Sequence, residues 1–327
     1  TNGGSGLGGT ISFDAFSSLT INGQLSSNSQ SAKAGQITLV AKDILLGSQA
    51  NLQATGSTGG GTILVGGDWQ GSGSLRQATT VTMNLGGVID ASATQNGNGG
   101  KVVLWSDIHN LNSLTTVHGT IFAKAGLLGG NGGQVETSGF EVDSLDATVS
   151  TKSIYGKTGL WLIDPTNYTI GASQAGEITN ALASNNLTIT TSSSNSTYGA
   201  TGSGVGDITV NSPIYSFSTN SLSLVADNNI NINADIVLNG NFSAQATNAI
   251  NINANVQNNG SQTYTGPVNI ATNATLDTTF GISTQAWSTY NSTKTNAGSF
   301  SGAVKILVQG ADRKSTRLNS SHANVSR

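Results

Sequence analysis

Residues 228–240, NNININADIVLNG, return twenty residues later as NAININANVQNNG over 248–260. Ile230 and Ile250, Ile232 and Ile252, Asn233 and Asn253, Ile236 and Val256, and Gly240 and Gly260 fall at the same offset. Alternation of the I-N-I-N kind puts isoleucines on one face of a strand and asparagines on the other, because successive strand side chains point to opposite sides. A fixed period of this length without helical periodicity predicts stacked β-coils. Ile230 then lies over Ile250 and Asn233 over Asn253. The stack builds an aliphatic column and an amide ladder, since each amide has two donors and an acceptor to share with the coils on either side. ITVNSPI (208–214) and VNIATNATL (268–276) are weaker copies of the unit.

The first half carries a different punctuation. A glycine, a polar residue and a β-branched aliphatic recur as Gly9-Thr10-Ile11, Gly35-Gln36-Ile37, Gly61-Thr62-Ile63, Gly100-Lys101-Val102 and Gly133-Gln134-Val135. The first three lie 26 residues apart, and the later gaps of 39 and 33 fit coils carrying inserted loops. ISFDAF (11–16), ITLVAKDILL (37–46), TILVGGDW (62–69), VVLWSD (102–107) and VETSGFEV (135–142) are strand-like runs. Trp69 and Trp105 lie eight and five residues after their repeat glycines. Between the runs lie GGT, GNGG and GGNGG turns, where glycine is expected to supply positive φ. The fold class predicted is all-β, a parallel, right-handed β-helix. A sandwich of about eight to ten strands does not account for identical residues at identical offsets, because its strands occupy inequivalent places.

Four segments are predicted: glycine-punctuated coils over 1–155, a junction over 156–190, asparagine-rich coils of about 20 residues over 191–311, and a foreign tail over 312–327. The junction opens with GKTGLWLIDPTNYTIG (156–171). Within it, Ile178, Ala181 and Leu182 recur at i, i+3 and i+4, which predicts one short helix over Glu177–Ser184, ended by Asn185-Asn186 and laid over a face or capping a stack edge. The tail begins DRKSTRLNSSH (312–322), a string that one reading frame of a common sequencing adapter encodes. It breaks the surrounding composition and is set aside from fold reasoning.

Composition narrows the classes of function. The 327 residues include 43 Gly, 3 Pro and no Cys, with 9 % charged residues. Low charge and abundant β-branched residues exclude general disorder, and the lack of cysteine leaves cooperativity to stacking. Without residues 312–327 the chain carries 9 basic and 15 acidic side chains, and Arg76 is its one arginine. Thr158 to Thr293 contains no Lys or Arg, so nucleic acid is excluded as a partner on the need for clustered cations at phosphate. No stretch reaches the roughly 18–20 apolar residues of a membrane helix. An opening at Thr1, without Met or a leader, predicts a fragment of a longer protein.

NGNGGKVVLWSD (96–107), GGNGGQVETSG (129–139) and GKTGLWLIDPTNYTI (156–170), followed by GDITV (206–210) and ININ (230–233), resemble the filamentous-haemagglutinin-like exoproteins of two-partner secretion. The resemblance runs through most of residues 1–311. It implies a β-helical exoprotein of Gram-negative bacteria, secreted and cell-surface associated, exported through an outer-membrane partner barrel. It also implies adhesion to a host or bacterial cell-surface glycan or protein. The family's secretion domain carries Asn-Pro motifs, whereas the prolines here follow Asp164, Ser212 and Gly266, which places the chain downstream of that domain. No catalytic residue or cofactor carries over, because the shared motifs are structural.

Three constellations bear on chemistry. Asp107, His109 and His118 offer metal ligands, the first two at strand spacing i and i+2; the plain alternative is a polar loop. Glu136, Glu141, Asp143 and Asp146 form the dense acidic cluster, and Glu141 and Asp143 share a strand face as the pair a polysaccharide hydrolase or lyase needs. Against an enzyme, only Lys101, Lys124, Lys152 and Lys157 are near to receive an acidic sugar, and a solvated loop explains the charges. Trp161 and Tyr168 could stack on a glycan, or the aromatic junction closes a hydrophobic column. The expectation is a non-enzymatic adhesin segment without a cofactor; a passive stalk and a carbohydrate-active β-helix are the alternatives.

Overall fold

The computed structural model describes residues 2, 6–191, 206–279, 299–301 and 304–307. Residues 312–327, with the adapter-like string, lie outside them. The protein is a parallel β-helix with one short α-helix, and every pairing between its strands is parallel among the described residues. It divides into two compact units, one built on Thr1–Thr166 with Ser184–Thr188, the other on Asn167–Ala183, Ile189–Thr191 and Val205 onward.

The first five coils each contribute a strand to each of three sheets, and a sixth strand joins the first sheet. The first sheet stacks Thr10–Asp14, Gln36–Val40, Thr62–Val65, Lys101–Trp105, Gln134–Ser138 and Leu160–Asp164. The second holds Ser18–Ile21, Asp43–Leu46, Thr80–Met83, Leu114–Val117 and Glu141–Asp143. The third holds Gln24–Ser26, Asn51–Gln53, Val88–Asp90, Thr120–Phe122 and Thr148–Ser150. The glycine phrases are in register as expected: Thr10 pairs with Gln36, Gln36 with Thr62, Thr62 with Lys101 and Lys101 with Gln134. A sixth member joins them, Gly159-Leu160-Trp161, with Gln134 opposite Leu160. The sequence hid it because leucine stands in the polar place.

The repeat glycines are there for a reason other than positive φ. Positive φ occurs at Gly130 of the GGNGG turn, not at Gly35, Gly61, Gly100 or Gly133. At those four and at Gly159, a Cβ would stand 1.8–2.2 Å from the carbonyl oxygen of the repeat glycine one coil earlier. Successive backbones pass too close for any side chain, which is the second use of glycine.

Inside the unit, Ile37, Ile63, Val102, Val135 and Trp161 align in one column and are at most 1 % exposed. On the opposite face of the same sheet, Thr38, Leu64, Val103, Glu136 and Leu162 align and are also buried. A strand of an open coil should be wet on that side. Something covers it.

In the second unit, Ile208, Ile230, Ile250 and Val268 stack in register, followed by Val210, Ile232, Ile252 and Ile270. The weaker sequence copies therefore take their expected places. The asparagines form the ladders that the repeat predicted. Nδ2 of Asn233 donates to Asn211 Oδ1 at 3.0 Å and that of Asn253 to Asn233 Oδ1 at 2.9 Å. Asn269, Asn251 and Asn231 repeat the arrangement at 2.8 Å a step. Leu224, Ala244 and Tyr264 line up on successive paired strands, with Tyr264 fully buried, edge-on to Phe242 and donating its hydroxyl to Gln262 Oε1.

The α-helix covers Ala172–Leu182, beginning five residues before the expected Glu177 and stopping two before Ser184. Its buried face, Ala175, Glu177, Ile178, Ala181 and Leu182, extends one turn further than the large apolar residues that betray it. It packs on Ile214–Ser216, the first strand of its sheet, and on Tyr168–Ile170. The helix thus caps a sheet edge.

Candidate functional site

Over Leu64, Val103 and Glu136 the cover is the loop inserted in the 39-residue gap. Residues 66–78, GGDWQGSGSLRQA, leave the strand Thr62–Val65 and return to it, their ends tied by Ala78 N–H donating to Gly66 O at 2.8 Å. This is a compact Ω-shaped loop, packed by its own side chains. Asp68 organises its start: its carboxylate accepts from Leu75 N–H at 3.1 Å and its carbonyl from Gly71 N–H at 3.0 Å. A single 3₁₀ turn, Trp69–Gly71, follows, with Gln70 in the left-handed region at φ 50, ψ 33. Gln70 is the one non-glycine residue with positive φ among the described residues. Such a residue is uncommon enough to call for an explanation.

The loop is a strap across five coils. Arg76 reaches back to the first coil, pairing with Asp14 and donating to Phe16 O at 3.1 Å and Ala15 O at 2.7 Å. Gln77 Oε1 accepts from Trp105 Nε1 of the fourth coil at 3.1 Å. Gln70 reaches the fifth, where its backbone N–H lies 2.9 and 3.1 Å from the two carboxyl oxygens of Glu136. Between these ties, Trp69 and Leu75 pack on Leu64, Val103, Trp105 and Ile108. Trp69 and Trp105 are therefore not equivalent: one lies in the strap and the other in the sheet beneath. Both belong to a small hydrophobic core outside the coil.

Glu136 is the chemical centre of this region. It is fully buried, with Val103 and Leu162 in register on either side. Ser138 Oγ, two residues on along the same face, donates to its Oε1 at 2.8 Å. Burial pushes the carboxyl up from 4.5 to about 7, against the opposing pull of the Gln70 N–H, the Ser138 hydroxyl and the Lys101 charge. Lys101 Nζ itself stands over the Trp69 ring, 5.1 Å from its centre. A carboxyl of this kind changes charge near neutrality. Sealed from solvent, it accepts from the strap's Gln70 amide and from the Ser138 hydroxyl.

The residues singled out from the sequence fall elsewhere. Glu141 and Asp143 do share one short strand, Glu141–Asp143, at the surface. Asp143 turns to His118, with Oδ2 3.9 Å from Nε2, and Asp146 Oδ2 lies 3.5 Å from His118 Nδ1. Asp107 is spent on its own turn, accepting from His109 N–H at 3.0 Å. The trio Asp107, His109 and His118 is thus not assembled: the strand Leu114–Val117 intervenes, and His118 meets carboxylates of the next coil. Among the described residues no group of three or more His, Cys, Asp or Glu side chains is placed to hold a metal ion.

The glycan-stacking role is corrected for both aromatics. Trp161 is 1 % exposed inside the coil, its Nε1 donating to Thr137 Oγ1 at 3.1 Å. Tyr168 is buried in the second unit with its hydroxyl 3.4 Å from Glu177 Oε2. Neither ring has a face to offer a sugar; each lies in a hydrophobic column.

Glu136 and the strap were half visible in the sequence. The long gap marked an insertion and Arg76 stood alone, but nothing in the alternation of QVETS tells which outward residue will be covered. Comparison of the chain with protein-family models, and with curated proteins, gave no match.

Proposed function

We propose that this chain is a non-catalytic segment of a secreted bacterial adhesin of the filamentous-haemagglutinin type, which attaches to, or presents attachment to, a cell-surface glycan or protein. The full-length protein would be exported through an outer-membrane partner barrel. One observation supports this best: coil after coil repeats the same outward residues, above all the neutral Asn231, Asn251 and Asn269 column. Each amide in such a ladder uses one N–H and one lone pair on its neighbours and keeps the others for solvent or a ligand. A regular array of neutral donors and acceptors suits many weak, repeated contacts better than a single reaction. The polypeptide path fits the same role, since a parallel coil stack grows by adding repeats.

The test is binding of the chain lacking residues 312–327 to panels of glycans, matrix proteins and bacterial or host cells. Saturable binding to one class, lost on replacing Asn231, Asn251 and Asn269 together by alanine, is the expected result. Absence of binding from a chain with a β-type circular dichroism spectrum turns the segment into a passive spacer. Release of reducing ends from a polysaccharide, abolished by Glu141→Gln, overturns the non-catalytic assignment.

A further inference from the structure

We infer that residues 66–78 are a proton-gated strap, held on the outer face of the first unit while Glu136 is neutral and released when Glu136 ionises. The proposal stands on the geometry of the attachment and is independent of any adhesive role. The strap's 3₁₀ turn is tied to the sheet by one polar contact, the Gln70 N–H on the Glu136 carboxyl. Gln70 keeps its left-handed conformation at that contact, a strained state that persists only where the surroundings hold it. The rest of the attachment is apolar packing of Trp69 and Leu75, with Arg76 and Gln77 tying the far end.

A neutral carboxyl accepts the Gln70 N–H on Oε2 at 2.9 Å and the Ser138 hydroxyl on Oε1 at 2.8 Å. An ionised carboxyl must keep a full charge in line with Val103 and Leu162, out of water. The charged groups around it leave that cost standing. Lys101, from the neighbouring strand, is drawn onto the Trp69 ring and offsets part of it. Asp164 lies on the next strand in register with Ser138, and Glu141 and Asp143 on the strand that follows, but the one charged group that shifts the Glu136 carboxyl is Lys101. On the strap, Asp68 is engaged with Leu75 N–H and Arg76 with Asp14.

The sign follows from linkage. The carboxyl titrates near 7 with the strap closed and near 4.5 once it is in water, so the closed state is fully favoured below 4.5 and loses ground as pH rises through 7. The closed-to-open ratio falls on the order of 300-fold across that window. Release uncovers Leu64, Val103 and Trp105, an apolar strip.

Hydrogen exchange of the full chain, read by mass on the peptide 66–78 and corrected for the intrinsic pH dependence of amide exchange, tests this. Strap protection is expected to fall about tenfold per pH unit from pH 5 and to level off near pH 7, while the strand Gln36–Val40 keeps its protection. Glu136→Gln, neutral at every pH, should hold the strap closed throughout. Ser138→Ala removes a hydrogen bond that favours the carboxylate and should move the levelling point to higher pH. Strap protection that does not change with pH, or the same fall in Glu136→Gln, overturns the proposal. Should Glu136→Gln not fold, Ser138→Ala decides: a levelling point unchanged or lowered overturns it equally.

Discussion

The two units stack parallel coils by different means. In the first, backbones approach so closely that a Cβ at Gly100 would sit 2.0 Å from the Gly61 carbonyl, and the outer face of one sheet is closed by a strap. In the second, neighbouring coils are joined by side-chain amides, with Asn251 Nδ2 on Asn231 Oδ1 and Asn269 Nδ2 on Asn251 Oδ1, both at 2.8 Å. The outward column of the first, Leu64, Val103, Glu136 and Leu162, is buried, whereas the second keeps Asn253 and Asn269 at the surface. Register can therefore be set by what the coils exclude or by what they exchange. Exclusion tolerates little change, and exchange fails one bond at a time.

The contrast can be broken most severely at the interior of the first unit. Trp161→Ala removes an indole that fills the column behind Val135 and strands Thr137 Oγ1, and should cost about 3–5 kcal/mol in the urea unfolding of that unit. Gly133→Ala comes next. Its Cβ would stand 2.1 Å from the Gly100 carbonyl, where only backbone can give way, so a loss of about 3 kcal/mol is expected from one methyl group. Heat or urea midpoints that leave Gly133→Ala level with the parent would remove close approach as the reason for the glycine repeat.

Asn251→Ala probes the other mechanism. It deletes two ladder bonds at a partly exposed site, and a loss of about 1–2 kcal/mol is expected, with local exchange rising at Asn231 and Asn269. A loss as large as that at Gly133 would mean the two units are held alike. The smallest effect has the opposite sign. Gly176 lies within the helix Ala172–Leu182 with open space where its Cβ would be, so Gly176→Ala should stabilise the second unit by up to about 1 kcal/mol. The same substitution thus separates a glycine required by packing from one that merely weakens a helix.

Legibility in the sequence followed the same division. The I-N-I-N segment states its register outright, because each Ile and Asn recurs at the offset where its partner lies. The glycine phrases also located their strands, though the physical cause was close approach rather than left-handed backbone. Gly159-Leu160-Trp161 escaped because a single apolar substitution broke the phrase while leaving the packing intact. The helix was found by Ile178, Ala181 and Leu182 and misplaced at its start, where Ala175 buries no more than a methyl group. Candidate ligands were chosen by nearness along the chain. His118 found its carboxylates a coil away, at Asp143 and Asp146.

By itself, then, the sequence determined the coil, its period and the pairing of repeat with repeat, since in a stack each residue meets the residue one period on and a repeated chain carries that information openly. The tertiary structure alone decided the burial of Glu136, the conformation of Gln70 and the meeting of Arg76 with Asp14. These depend on a loop of one occurrence, laid back across coils two before and two after its own, and no period in the chain encodes where an unrepeated loop comes to rest.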